Sequence, residues 1–271
     1  MKFRRLFSIL IVACLIMGCL ISCSKPEEDK EPTVNELVAK ADEAVKNSSY
    51  RVTMDMTFTG DETDETTKQI ITSLNNVEML LSTDGNNAEV SYGMEIEYDG
   101  IVVAVNTEMI SVGNTVYILS EQSVDGEKET VKMKATATEE QREELFGQTG
   151  NAATEITDSD FEKVEMKKVD GVYVITCTDI KEESVDKLNS VLDSSAGASS
   201  SVSVSNAKLT FEIKDGKYQK ATITCDYVMD IDGEKITLGA SIDMKYTYED
   251  FDITAPSDAK DYQEIDIDDM L

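Results

Sequence analysis

The sequence predicts an α+β domain built on one large antiparallel β-sheet, and three observations predict it. Polar and apolar residues alternate with a period of two in one segment after another. Asp-Gly pairs, which accept the positive φ of tight hairpin turns, fall between those segments at Asp84-Gly85, Asp99-Gly100, Asp125-Gly126, Asp170-Gly171, Asp215-Gly216 and Asp232-Gly233. The long crossovers that parallel strands require are missing, so the strands should follow one another as a meander.

Residues 1–22 open with Lys2, Arg4 and Arg5, continue through apolar Leu6 to Ile21, and stop at the polar run Ser24-Lys25-Pro26-Glu27-Glu28-Asp29. That order is the one of an export signal. Its apolar run is shorter than the roughly 20 residues of a membrane-spanning helix, which favours cleavage over an uncleaved span. Leu20-Ile21-Ser22-Cys23 resembles the lipobox of bacterial lipoproteins. The motif implies cleavage between Ser22 and Cys23 and a diacylglyceryl thioether on the Cys23 sulfur, with further acylation of the new amino group. Two or more chains make a stable anchor, at about 0.8 kcal/mol for each buried CH₂. Ile16-Met17-Gly18-Cys19 is a competing lipobox in which Met17 fits less well, and cleavage there would leave Leu20 and Ile21 exposed. Cys14 reads as a small apolar residue of the signal helix.

Residues 23–32 are charged and hold two of the three prolines, as suits an extended tether. Thr33-Val34-Asn35-Glu36 reads as a capping box. The helix it opens carries Val34, Leu37, Val38, Ala41, Ala44 and Val45 on one stripe, with Lys40, Asp42, Glu43 and Lys46 expected to face elsewhere. The period changes to two at Tyr50, Val52, Met54, Met56 and Phe58, a half-buried strand. The alternation returns at Val77, Met79 and Leu81, at Val90, Tyr92, Met94, Ile96 and Tyr98, and at Val131, Met133 and Ala135, with Gly113-Asn114 as a further turn. Two more helices are expected, one from Glu139 to Phe146 behind the capping pattern Thr138 to Gln141, and one from about Glu182 to Asp193. Ser194 to Ser205 reads as a flexible loop by composition. Residues 207–248 make long strands across the Asp215 and Asp232 turns, and residues 263–271 read as an acidic tail. A single domain over residues 33–262 accommodates all of this, since all-β chains of this size often stay undivided.

Composition narrows the function. Removing the signal loses Lys2, Arg4 and Arg5 with no carboxylate, so the net charge moves from −29 to −32. Such a surface repels phosphate backbones, and no nucleic-acid partner is expected. The absence of histidine removes the usual general base of serine and cysteine hydrolases and the commonest zinc ligand. Asp230-Ile231-Asp232-Gly233 is a fragment of a calcium loop without its full spacing, and reads as a hairpin turn. No metal and no cofactor is expected. Carboxylate pairs such as Asp55 and Glu95 read as solvated surface, so catalysis is not expected either. Cys177 and Cys225 sit in strand-like runs and read as buried free thiols, although an oxidising compartment permits a disulfide.

The N-terminal amphipathic helix, the strand Ser49-Tyr50-Arg51-Val52-Thr53-Met54-Asp55-Met56, the long meander and the closing Ile253-Thr254-Ala255-Pro256-Ser257-Asp258-Ala259-Lys260 together resemble the LolA/LppX-like lipoproteins. The two ends are similar to poorly characterised clostridial members. The resemblance covers most of residues 33–262 and lies in patterning, with no catalytic signature. It implies a strongly curved sheet, an incomplete barrel, with helices packed on its concave face over a hollow that holds acyl chains or lipoproteins. It also implies a place on the extracytoplasmic face of the cell membrane, held by the lipid anchor. By alternation, Met54, Met56, Phe58, Met79, Leu81, Tyr92, Met94 and Ile96 would line that hollow. Two readings stay open: a methionine-rich lining that adapts to lipid tails, or an ordinary filled core beneath the helices. A Cu(I) site is disfavoured by the lack of a tight M-x-x-M cluster. The alternative to ligand binding is a surface interaction or structural lipoprotein with an envelope partner that the sequence does not name.

Overall fold

The computed structural model of the chain describes residues 31–267 apart from 62, 65–66, 69–70, 73–76, 85–86, 99–100, 148–159, 186–199 and 232–233. The signal, the lipobox with Ser22 and Cys23, and most of the tether lie outside the described residues.

Thr33 begins the first element by closing a capping box with Glu36. The Thr33 backbone N–H donates to Glu36 Oε2 at 2.7 Å, and the Glu36 N–H donates to Thr33 Oγ1 at 3.3 Å. This satisfies two of the orphan donors of helix α1, Val34–Asn47. Twelve strands follow: β1 Tyr50–Thr59, β2 Val77–Thr83, β3 Ala88–Tyr98, β4 Ile101–Val112, β5 Thr115–Val124, β6 Glu127–Thr136, β7 Phe161–Val169, β8 Val172–Ile180, β9 Ser200–Lys214, β10 Lys217–Ile231, β11 Glu234–Thr247 and β12 Gln263–Glu264. Helix α2, Glu139–Gly147, separates β6 from β7. The α+β class is as expected, in a curved sheet that does not close.

The strand order is β12-β6-β5-β4-β3-β2-β1-β11-β10-β9-β8-β7. Two meanders, β1 to β6 and β7 to β11, therefore meet where β1 pairs β11 along Arg51 to Thr59. The tight turns have the backbone that Asp-Gly provides. Asp125 and Gly126 sit at φ 50° and 84°, Asp170 and Gly171 at 50° and 83°, and Asp215 and Gly216 at 53° and 74°. Two successive positive φ values match the right-handed strand twist.

Helix α1 lies over β9 and β10, and the face it covers is called the inner face here. Leu37 and Ala41 are buried against Val52, Met54, Met56 and Phe58 of β1, Ile175 of β8, Ile213 of β9 and Ile242 of β11 in one core cluster. Residues 67–68 and 71–72 add helical turns that the sequence did not announce. Thr67 and Ile71 are buried there, four residues apart, at the Gly60 and Leu238 end. A second, smaller cluster joins Val116, Ala135, Ala137 and Ile267 to Leu145 and Phe146 of α2.

Three expectations are corrected. Residues 200–205, expected in a flexible loop, belong to β9, where Ser201, Val202, Ser203 and Val204 pair with Asp230, Met229, Val228 and Tyr227. The long neighbouring strand supplies a hydrogen-bond ladder that weak local preference does not resist. The ladder is interrupted instead by a bulge at Asn206, at φ 52°, whose Nδ2 donates to Asp226 Oδ2 at 2.6 Å. The acidic tail expected from residue 263 is docked as far as residue 267. Gln263 and Glu264 pair with Met133 and Lys134, in the sheet's one parallel pairing among the described residues. The Ile265 N–H donates to the Lys134 carbonyl at 3.0 Å, and Ile267 is buried. The third correction, at Asp42, concerns the candidate site. Of the helix expected from Glu182 to Asp193, residues 182–185 are helical and the rest lies outside the described residues.

Candidate functional site

The inner face can be followed residue by residue across the sheet. Ile175, Phe211, Ala221, Met244, Met54, Met79 and Tyr92 stand opposite one another on β8, β9, β10, β11, β1, β2 and β3. The same row runs on through Thr107, Ser120 and Val131 on β4, β5 and β6. From Ile175 to Met79 the row is buried, Tyr92 is half-buried, and Val131 is 40% exposed. Thr107 and Ser120 put hydroxyls 3.3 Å apart in the middle of this otherwise apolar row.

Of the eight residues expected to line a hollow, Met54, Met56, Phe58 and Met79 are buried in the main core cluster. Met56 lies opposite Ile242, and Phe58 lies opposite Ala240 with its ring 6.3 Å from that of Tyr227. Leu81, Tyr92 and Met94 are half-buried and pack on the margin of that cluster. Ile96 is on β3 opposite Val103, and its side chain lies outside the described residues. The sheet therefore divides the eight: β1 and Met79 of β2 point into the core, while Leu81 of β2 and Tyr92 and Met94 of β3 carry its rim.

Beyond that rim the inner positions of β4 to β6 are covered unevenly, with Thr107, Ser111, Val116 and Ala135 buried. Ile101 is 44% and Val124 41% exposed, while Val103, Val105, Met109 and Ile118 are half-buried. On the outer side, a strap formed by residues 249–262 crosses β1 to β6. Phe251 lies under the Arg51 guanidinium at 5.2 Å, and the Ile253 N–H donates to Asp84 Oδ2 at 3.1 Å. Lys132 pairs with Asp258, and Tyr262 meets Tyr117 edge-on at 5.5 Å.

Sequence reasoning missed the polar group on the covered side. Asp42, expected to face away, is turned inward from α1, and Tyr218 of β10 donates to its Oδ1 at 2.8 Å. The other carboxyl oxygen, Oδ2, is buried with no hydrogen-bond partner. Burial pushes the Asp42 carboxyl up to about 6, against the opposing Tyr218 hydrogen bond and the nearby Lys46 charge. Tyr218, Tyr246 and Tyr248 gather around it, with Tyr218 and Tyr246 at 5.5 Å, and Tyr50 stands behind them at 6.5 and 6.3 Å from Tyr246 and Tyr248. The available signal was position: Asp42 is next to buried Ala41 and four residues after Val38, at the edge of the apolar stripe.

Cys177 and Cys225 are buried free thiols, as expected, and burial pushes the Cys225 thiol up to about 12. Among the described residues no group of carboxylates and cysteines is arranged to hold a metal ion, and no helix is long and apolar enough to cross a membrane.

No known protein family's profile matches the chain, and no curated protein matches it. A solved structure of an inactive mutant of the CurJ dehydratase, in complex with a compound, aligns with 9% identity over 73% of this chain and 75% of that one. The TM-score of 0.11 is too low to carry an argument about fold or activity.

Proposed function

We propose that the protein is a non-enzymatic lipoprotein, anchored through Cys23 on the extracytoplasmic face of the cell membrane, that holds a hydrophobic ligand such as a lipid. The ligand lies beside the core rather than within it. One observation carries this reading: apolar inner-face residues continue past the main core, where Leu81, Tyr92, Met94, Val103 and Val105 are half-buried and Ile101 is 44% exposed. Partly exposed apolar side chains on one face of a curved sheet are a place for an apolar ligand. The anchor rests on the lipobox, and the resemblance to LolA/LppX-like lipoproteins supports the ligand class.

Native mass spectrometry of protein released from membranes and freed of detergent tests the reading. A bound lipid is expected on the wild type, and its occupancy should fall at least tenfold in Met94→Asp, which places a charge on the rim. Protein that carries no lipid at all, or lipid indifferent to this substitution, refutes the site. A second reading, an interaction protein with a filled core, is favoured by the 3–5% exposure of Met54, Met56 and Phe58. It predicts crosslinking in cells to an envelope protein with no lipid retained.

A further inference from the structure

Helix α1 meets the sheet through Leu37 and Ala41, both buried, and through Val34, Val38 and Val45 packed on the core. Such contacts are insensitive to pH. Set among them is one polar contact of a different kind, the 2.8 Å hydrogen bond from Tyr218 to Asp42. The Asp42 carboxyl receives that donor on one oxygen and nothing on the other, which is stripped of water. An ionised carboxylate needs several donors or an ion-pair partner when it leaves water, whereas the neutral acid tolerates the same place at much lower cost.

The groups facing Asp42 do not correct this deficit. Tyr218 comes from β10, Tyr246 from the end of β11, and Tyr248 from the residues that follow, with Tyr50 of β1 behind them. Burial pushes all four phenols upward, so they stay uncharged through the neutral range. From β9, Phe211 packs on Tyr218 at 5.6 Å and carries no charge. Of the cations, Lys46 on α1 itself favours the ionised carboxyl. Lys217 of β10 is placed over the Tyr248 ring at 4.7 Å, and the Lys40 side chain of α1 lies against Gly216.

We propose that Asp42 and Tyr218 form a protonation-controlled latch, which holds α1 down over the tyrosine-rich end of the inner face while Asp42 is protonated and loosens it when Asp42 ionises. The sign follows from linkage. The docked carboxyl, raised to about 6 from an ordinary 3.8, binds its proton more tightly than the undocked one. Docking is therefore strongest below about pH 4, weakens as the pH rises from about 4 to 6, and is level above that. A difference of about two pK units corresponds to at most about a hundredfold change in the docking equilibrium. Because α1 directly follows the tether, the helix that loosens is the one nearest the proposed anchor. The latch itself stands on the contacts of α1 and does not require the ligand reading.

Hydrogen exchange of the full-length protein, measured between pH 4 and 7.5 and corrected for the intrinsic pH dependence of amide exchange, tests the latch. Protection of the amides of residues 37–45 is expected to fall at least tenfold relative to those of β10 across that range, and to stay level in Asp42→Asn. Tyr218→Phe keeps the carboxyl but removes the donor that favours its charged form, so the midpoint of the loss should move to higher pH. A level profile in the wild type, or an unchanged loss in Asp42→Asn, overturns the proposal. Where Asp42→Asn leaves β10 unprotected, Tyr218→Phe decides: a raised midpoint supports the latch and an unmoved midpoint overturns it.

Discussion

Strands β1 and β4 both turn apolar residues to the inner face, yet they meet different surroundings. On β1, Val52, Met54, Met56 and Phe58 are all 3–5% exposed. On β4, the inner positions run from Ile101, 44% exposed, through half-buried Val103, Val105 and Met109, with only the polar Thr107 and Ser111 buried. Valine and methionine stand at inner positions of both strands, so their difference in burial comes from what lies over them. The half of the sheet around β1, β10 and β11 has α1 and the helical turns near Ile71 above it. The half around β4 to β6 is held chiefly from behind and at its edge by the strap, with α2 over one end. The deepest burial is thereby concentrated in one half of one continuous sheet, and the proposed ligand face lies beside it.

The comparison is broken or sharpened most strongly by truncation in the covered half. Ile242→Ala removes a side chain of 0% exposure opposite Met56, and should lower unfolding stability in urea by about 2–5 kcal/mol. A smaller effect is expected from Thr33→Ala, which opens the capping box of α1 at a cost of about 1 kcal/mol. The same urea titration measures it, and hydrogen exchange should place the loss in α1 first. The smallest effect belongs to the open half. Val131→Ala, at 40% exposure, should change stability by no more than about 0.5 kcal/mol. Equal losses for Ile242→Ala and Val131→Ala would mean that the two halves are covered alike, and the division between core and binding face would fall.

Several parts of the fold were legible because their cause is local. Thr33 and Glu36 make a capping box from side chains three residues apart, and Thr138 and Gln141 do the same before α2. Asp125-Gly126, Asp170-Gly171 and Asp215-Gly216 turn where their tolerance of positive φ allows. The features that were misread depend on partners distant in sequence. Serine-rich residues 200–205 become strand because β10 lies beside them. Gln263 and Glu264 join the sheet because β6 presents an edge, and Ile265 and Ile267 then find apolar contacts on Val116 and Ala135. Asp42 looks like any polar residue of an amphipathic helix until Tyr218, 176 positions away, is placed against it. The lining residues show the same limit: alternation put Met54 and Tyr92 on one face, but not which of them α1 would help to bury.

By itself, then, the sequence determined the fold class, the antiparallel meander, the faces of β1 to β3 and the buried state of Cys177 and Cys225. These follow from backbone φ preference, capping chemistry and the two-residue period of a strand, all of which act over a few residues. Only the tertiary structure decided that β1 joins β11, that α1 closes over one half of the sheet, and that a carboxyl ends among tyrosines. Those outcomes depend on which surfaces the folded chain brings into contact, where burial and solvation change with the partner rather than with the residue.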